Sequence, residues 1–164
     1  MSNIPAGDAN THEAPLARSK VLVVDDNAQN LELLVAYLDS LDCEVITAVD
    51  GIGALEKVRG DSPDLILLDV MMPRMSGFEV CRKLKSEPGT RDIPIIMVTA
   101  LNELGDIERG VESGTDDFIT KPVNRLELTT RVKSLLRVRH LKNELERTLA
   151  YLNDMDTEAE RAQS

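Results

Sequence analysis

Five side chains in this 164-residue sequence could transfer a phosphoryl group if the fold gathers them. They are Asp25 and Asp26 in KVLVVDDN, Asp69 in PDLILLDVMMPRMSG, Thr99 in IIMVTA and Lys121 in FITKPV. Asp69 poses the sharpest question. It follows Leu65, Ile66, Leu67 and Leu68, an apolar run typical of a strand flanked by neighbours and covered by helices on both faces. An ionised carboxylate ending such a strand is costly unless a cation compensates it. Three carboxylates brought together also disfavour one another's ionised forms. Hard oxygen ligands without His or Cys suit Mg²⁺, which keeps several waters and completes its octahedron with substrate phosphate. An Asp nucleophile, Mg²⁺ and an ammonium make a phosphoryl-transfer site: the carboxylate attacks phosphorus while the metal and Lys121 neutralise charge on the transferring group.

The elements that must position these groups can be read from periodicity. From Lys20 onward, short apolar runs (KVLVVD, CEVITA, DLILLD, IPIIMVTA, DFIT) alternate with amphipathic segments, including one around Ile107 and Val111, and end in a long last helix. Fivefold βα alternation of this kind predicts an α/β fold with a doubly wound, five-stranded parallel sheet. With strand order 2-1-3-4-5, the carboxyl ends of strands 1 and 3 are neighbours at the switch point, where ligands bind. Four strands end in a chemically able side chain. The exception, CEVITA, ends in Ala48 and is assigned to the sheet edge. Neighbouring strands lie about 4.8 Å apart, which brings Asp25 and Asp26 within a few ångströms of Asp69. Lys121 starts two strands away, roughly 10 Å at the backbone and within reach of its long side chain. Ser76 with Glu79 is spaced as a capping box opening the third helix, Asn124 with Glu127 has the related spacing, and Asp50 precedes the turn at Gly51.

Blander readings fit each piece singly. An Asp after an apolar run often caps a helix, an Asp pair often forms a solvated turn, and Thr ends strands for its β-propensity. Capping does not explain their joint placement on four contiguous strands. DDNAQN is not an EF-hand, since its sixth loop position would be Asn30 and its twelfth Ala36. No glycine-rich nucleotide loop occurs.

The formal charge of −10 argues against direct nucleic-acid binding and against an anionic membrane surface, both of which require a basic patch. All of it belongs to the part before Leu126, because the tail from there carries seven basic and seven acidic residues. Cys43 and Cys81 lack zinc-site spacing and are expected to be buried thiols. With no transmembrane-length apolar run and no signal-peptide pattern, the expected location is cytoplasmic.

From about Lys20 to Arg137 the chain resembles the receiver domain of bacterial two-component response regulators. VLVVDDN, LILLDVMMPRMSGFEVC, IPIIMVTA and DFITKP match that family's signatures in order and spacing. CRKLKSEPGTRDIPIIMVTALNE is similar to regulators of cyclic-di-GMP enzymes. The resemblance implies a flavodoxin-like fold whose Asp69 takes a phosphoryl group from a histidine kinase or a phosphotransfer protein and relays the state to an output domain or partner. It implies Mg²⁺ held by Asp26, Asp69 and the backbone carbonyl of Met71, with Asp25 acting mainly through water. It further implies that Thr99 and Lys121 each bond a phosphoryl oxygen, that the Lys121–Pro122 peptide is cis, and that Phe118 is the aromatic switch. Met71 and Leu101 would border the path of the attacking water and slow hydrolysis. The contrasting readings are a free-standing Mg²⁺-dependent phosphatase with an Asp nucleophile, disfavoured because no DxDxT lies on strand 1, and a coiled-coil adaptor.

Three parts are expected: a flexible leader over 1–18, a receiver over 19–137, and a helical extension over 138–164. The start of the last helix, Leu126 to Leu136, would pack on the receiver. From Val138, coiled-coil positions carry Val138, Leu145, Leu152 and Ala159 at a, and Leu141, Thr148 and Met155 at d. These positions point to a homodimer through the extension, and the resemblance implies that the helix 4, strand 5 and helix 5 face takes part in it. Arg137 facing a partner's Lys142 leaves a parallel pair unspecified.

Overall fold

The computed structural model describes residues 19–100 and 104–163, so the leader expected over 1–18, Leu101 and Ser164 lie outside the described residues. The parallel strands are β1 (Lys20–Val24), β2 (Glu44–Ala48), β3 (Leu65–Asp69), β4 (Ile95–Thr99) and β5 (Asp117–Thr120). They alternate with helices α1 (Ala28–Leu38), α2 (Gly51–Asp61), α3 (Gly77–Ser86), α4 (Leu104–Ser113) and α5 (Arg125–Ala162). The sheet order is β2-β1-β3-β4-β5, as the alternation predicts.

Alternation of side chains along each strand explains the unbroken apolar runs. Leu22, Val24, Ile66, Leu68, Ile95 and Met97 turn to one face, where Ala54 and Val58 of α2 and Phe78, Cys81 and Leu84 of α3 cover them. Val21, Val23, Leu65, Leu67, Ile96 and Ile119 turn to the other, under Leu34 and Leu38 of α1 and Leu128, Val132 and Leu136 of α5. β1, β3 and β4 therefore have almost no polar position until their ends. Edge strand β2 keeps exposed Glu44 and Thr47.

Caps fix where each connection turns into its helix. Asn27 accepts from Gln29 N and Asn30 N, Asp50 from Gly53 N, Ser76 from Glu79 N and Asn124 from Glu127 N. The last three are the positions expected from spacing.

α5 runs for 38 residues without a break, about 57 Å at 1.5 Å per residue. Its body contacts reach beyond Leu136. Ser19 Oγ hydrogen-bonds His140 Nε2 at 2.7 Å, Arg139 Nη1 donates to the Asp92 carbonyl at 3.1 Å, and Lys142 pairs with the Asp92 carboxylate at 3.1 Å. Every residue from Glu144 to Gln163 is exposed.

Candidate functional site

β1 and β3 deliver their acidic residues side by side. Val24 is in register with Leu68, and Asp25 N extends the ladder by donating to the Ala48 carbonyl at 3.2 Å. Asp25 is thereby level with Asp69, and both are buried, at 1% and 4% exposure. One oxygen of Asp25 accepts from Asn27 N at 2.9 Å, which holds the carboxylate in place. One carboxylate oxygen each from Asp25, Asp26 and the acceptor candidate Asp69 lie within 4.8 Å of one another, with Asp26 on the exposed side.

Lys121 arrives from the far side. Its amide donates to the Thr99 carbonyl at 2.8 Å, anchoring β5's end to β4's, and the Lys121–Pro122 peptide is cis. From there Nζ spans to Asp69 at 3.2 Å and Asp25 at 3.4 Å, bridging the two buried carboxylates. Thr99 is buried at the end of β4, beside Asp69's strand. Burial raises the Asp69 pKa above the ordinary carboxylate value, and neighbouring Asp25 raises it further, while Lys121 and the Met71 amide draw it back. One ammonium against three carboxylates leaves the cluster net negative. An all-oxygen set of this kind fits a hard divalent cation, as the donor chemistry predicts.

Met71 stands at the mouth with its side chain 63% exposed, while Leu101 lies outside the described residues. Phe118 packs half-buried against the core over Gly110, where an added Cβ would fall within 2.5 Å of ring atom Cε1. Gly77, at the first position of α3, allows that helix to close on the acceptor strand. A Cβ there would lie 2.9 Å from Val70 Cα and closer still to the Asp69 carbonyl oxygen. Neither glycine was marked by spacing, since both constraints come from elements distant in sequence. Cys81 is buried as expected, whereas Cys43 is only partly so, because it precedes edge strand β2. Burial raises the pKa of both thiols.

Among the described residues no helix is long and apolar enough to cross a membrane.

Known proteins are similar to this chain. The response regulator PleD of Caulobacter vibrioides is 51% identical over 127 residues, covering 77% of this chain and 28% of PleD. The alkaline phosphatase synthesis transcriptional regulatory protein PhoP of Bacillus subtilis is 45% identical over 118 residues, covering 72% of this chain and 48% of PhoP. The chain thus spans half or less of the length of these curated relatives. Among solved structures, the signal receiver domain of a histidine kinase from Syntrophus aciditrophicus superposes with a TM-score of 0.68 at 38% identity, covering 72% of this chain and 89% of that one. The chemotaxis protein CheY4 of Vibrio cholerae gives 0.68 at 30%, covering 72% and 98%. The family model for the response regulator receiver domain matches residues 21–133. With the sheet order, the acidic cluster and the lysine all in place, this chain belongs to the response regulator receiver domain family.

Proposed function

We propose that this protein is a phosphorylation switch in which Asp69 accepts a phosphoryl group from the phosphohistidine of a histidine kinase or phosphotransfer protein. A carboxylate oxygen of Asp69 forms the new bond to phosphorus as the bond to the donor's imidazole nitrogen breaks. The observation that carries this reading is the Asp69 carboxylate, buried beside Asp25 and Asp26 and met by Lys121 Nζ at 3.2 Å. Asp26, Asp69 and the backbone carbonyl of Met71 would hold Mg²⁺, with Asp25 contributing mainly through water. When bound, Mg²⁺ supplies Lewis-acid neutralisation of the phosphoryl oxygens. Lys121 exchanges its contact with Asp69 for a phosphoryl oxygen, and Thr99 takes another. Phe118, seated two positions before Thr120, reports that rearrangement to the surface. In this reading the protein catalyses only its own phosphorylation and dephosphorylation.

The signal then leaves through the face of α4, β5 and α5 and through the α5 extension over 138–164, where two copies of the cytoplasmic protein associate. Exposed Ile107 and Val111 on α4 and exposed Val138, Leu141 and Leu145 on α5 support an apolar interface there. Partner or output-domain engagement follows from that association. The test is uptake of acid-labile phosphate from acetyl phosphate with and without Mg²⁺. Wild type takes it up only with Mg²⁺, Asp26→Asn needs more Mg²⁺, and Asp69→Ala takes up none. Wild-type labelling of Asp69→Ala removes the proposal.

A further inference from the structure

The α5 extension divides into two faces. Leu136 is buried against the body, and Arg139, His140 and Lys142 reach Asp92 and Ser19 from the same side or its margin. At 100° per residue, Val138, Leu141 and Leu145 fall on the opposite face, each 59% exposed. The stripe continues through Leu152 and Met155, both half exposed. It therefore begins beside the body yet points away from it, which leaves room for a partner helix to lie along it.

Charge along this helix is strongly uneven. Between Arg137 and Arg147 four basic residues (Arg137, Arg139, Lys142, Arg147) outnumber two acidic ones (Glu144, Glu146). Between Thr148 and Ala162 four acidic residues (Asp154, Asp156, Glu158, Glu160) outnumber Arg161. A parallel pair sets basic half on basic half and acidic half on acidic half, with Arg137 facing the partner's Lys142. An antiparallel pair sets basic on acidic.

We infer that two copies of this chain join through an antiparallel pairing of their α5 extensions, a reading that rests on the dimer proposed above and fixes its geometry. Matching a to d positions gives the layers Val138 on the partner's Met155, Leu141 on Leu152 and Leu145 on Thr148, each made twice by symmetry. In that register Arg137 meets the partner's Glu158 at the flank, also twice, and no like-charged flanking pair arises. Lys142 flanks the partner's Leu149, its apolar stem covering that side chain. The paired segment, residues 138–155, spans about 27 Å. Beyond it, the partner's Ala159 comes level with Ser134 and its Ala162 with Arg131, beside the open groove that Leu126, Glu127, Arg131 and Leu135 line next to Asp117. Arg131 is paired there with Asp117, the residue before Phe118, so the partner's helix runs beside the segment that the proposed switch would move. The two receivers stand at opposite ends, each on the outer side of its own helix.

Cross-linking of the full chain separates the orientations. Val138→Cys is placed in a tagged copy and Met155→Cys in an untagged one, both carrying Cys43→Ser, with Cys81 left buried. Mixed and oxidised with beryllofluoride and Mg²⁺ present, they are expected to give the tagged–untagged 138–155 disulfide as the main product. Disulfides of 138 with 138 and of 155 with 155 would overturn the orientation while leaving the dimer intact. A dimer by sedimentation with no cross-link would overturn the tail as its site, and a monomer with and without beryllofluoride would overturn both readings. Arg137→Glu supplies an independent sign. It weakens an antiparallel dimer roughly tenfold, by replacing two exposed attractions with repulsions, and Glu158→Arg restores it. In a parallel dimer the same change relieves the clash with Lys142, so tighter association of Arg137→Glu would refute the inference.

Discussion

Gly77→Ala tests how the fold holds the acceptor residue. The added methyl would sit 2.9 Å from Val70 Cα, about 0.6 Å inside the ~3.5 Å at which carbon atoms pack best, and it overlaps the Asp69 carbonyl oxygen still more. The neighbours are backbone atoms, so rotamer changes cannot relieve the clash. Either α3 lifts from the sheet or the end of β3, carrying Asp69, shifts. The Gly77 amide also donates to the Val70 carbonyl at 3.0 Å, and either movement strains that bond. Overpacking of this kind costs about 1–3 kcal/mol. For a domain of this size that lowers the melting temperature by roughly 3–10 °C. Displacing a reacting group by up to ~1 Å costs up to ~10²-fold in rate, so labelling by acetyl phosphate should slow roughly ten- to hundredfold. Thermal melts and initial labelling rates measure the two effects. Gly60→Ala serves as the control, since nothing lies within 4 Å of its Cβ. In the last turn of α2 it should stabilise by less than about 1 kcal/mol and leave labelling unchanged. If Gly77→Ala melts and labels like wild type, α3 does not clamp the acceptor strand as described.

Three further outcomes follow from the site. Gly110→Ala should evict the Phe118 ring; with only two Phe in the chain, fluorophenylalanine NMR gives one resonance each, and the Phe118 signal should move towards its solvent-exposed value. An unmoved signal would show that the ring does not need the glycine. Burial and Asp25 raise the Asp69 pKa in the folded state, so ionising Asp69 destabilises the metal-free protein as pH rises from the ordinary Asp value through the raised one. Asp69→Asn, in EDTA, should therefore gain denaturation midpoint over wild type across that window and keep the gain above it; no gain at neutral pH would contradict the electrostatic reading. Met71→Asn replaces an apolar side chain at the site's mouth with one that can orient water, and the acyl phosphate should decay several-fold faster, a reading that an unchanged or slower decay would exclude.

Much of the site was legible because its residues end strands that are otherwise wholly apolar. Asp69 after LILL and Lys121 after FIT stand out against a period-free hydrophobic background, and parallel topology converts those positions into neighbours. Ser76 and Asn124 were readable because a cap acts within three residues of itself. Asn27 carries the same signal but was hidden beside the acidic pair it follows. The contacts of Gly77 with Asp69 and Val70, and of Gly110 with Phe118, depend on how closely packed elements approach, which no local pattern encodes. The same holds for α5. Its apolar period showed a helix, but the bonds from His140 to Ser19 and from Lys142 to Asp92 carry its docking past position 137 through polar residues that resemble an ordinary solvated face.

The most direct test of a phosphorylation switch centred on Asp69 is to find the atom that carries the phosphate. The full chain is incubated with acetyl phosphate and Mg²⁺, reduced with borohydride to convert any acyl phosphate to the alcohol, and mapped by mass spectrometry. The expected result is a single reduced site, at residue 69, which disappears when Mg²⁺ is chelated. Modification at Asp25, Asp26 or elsewhere, or an unmodified Asp69 in folded, Mg²⁺-supplied protein, would contradict it.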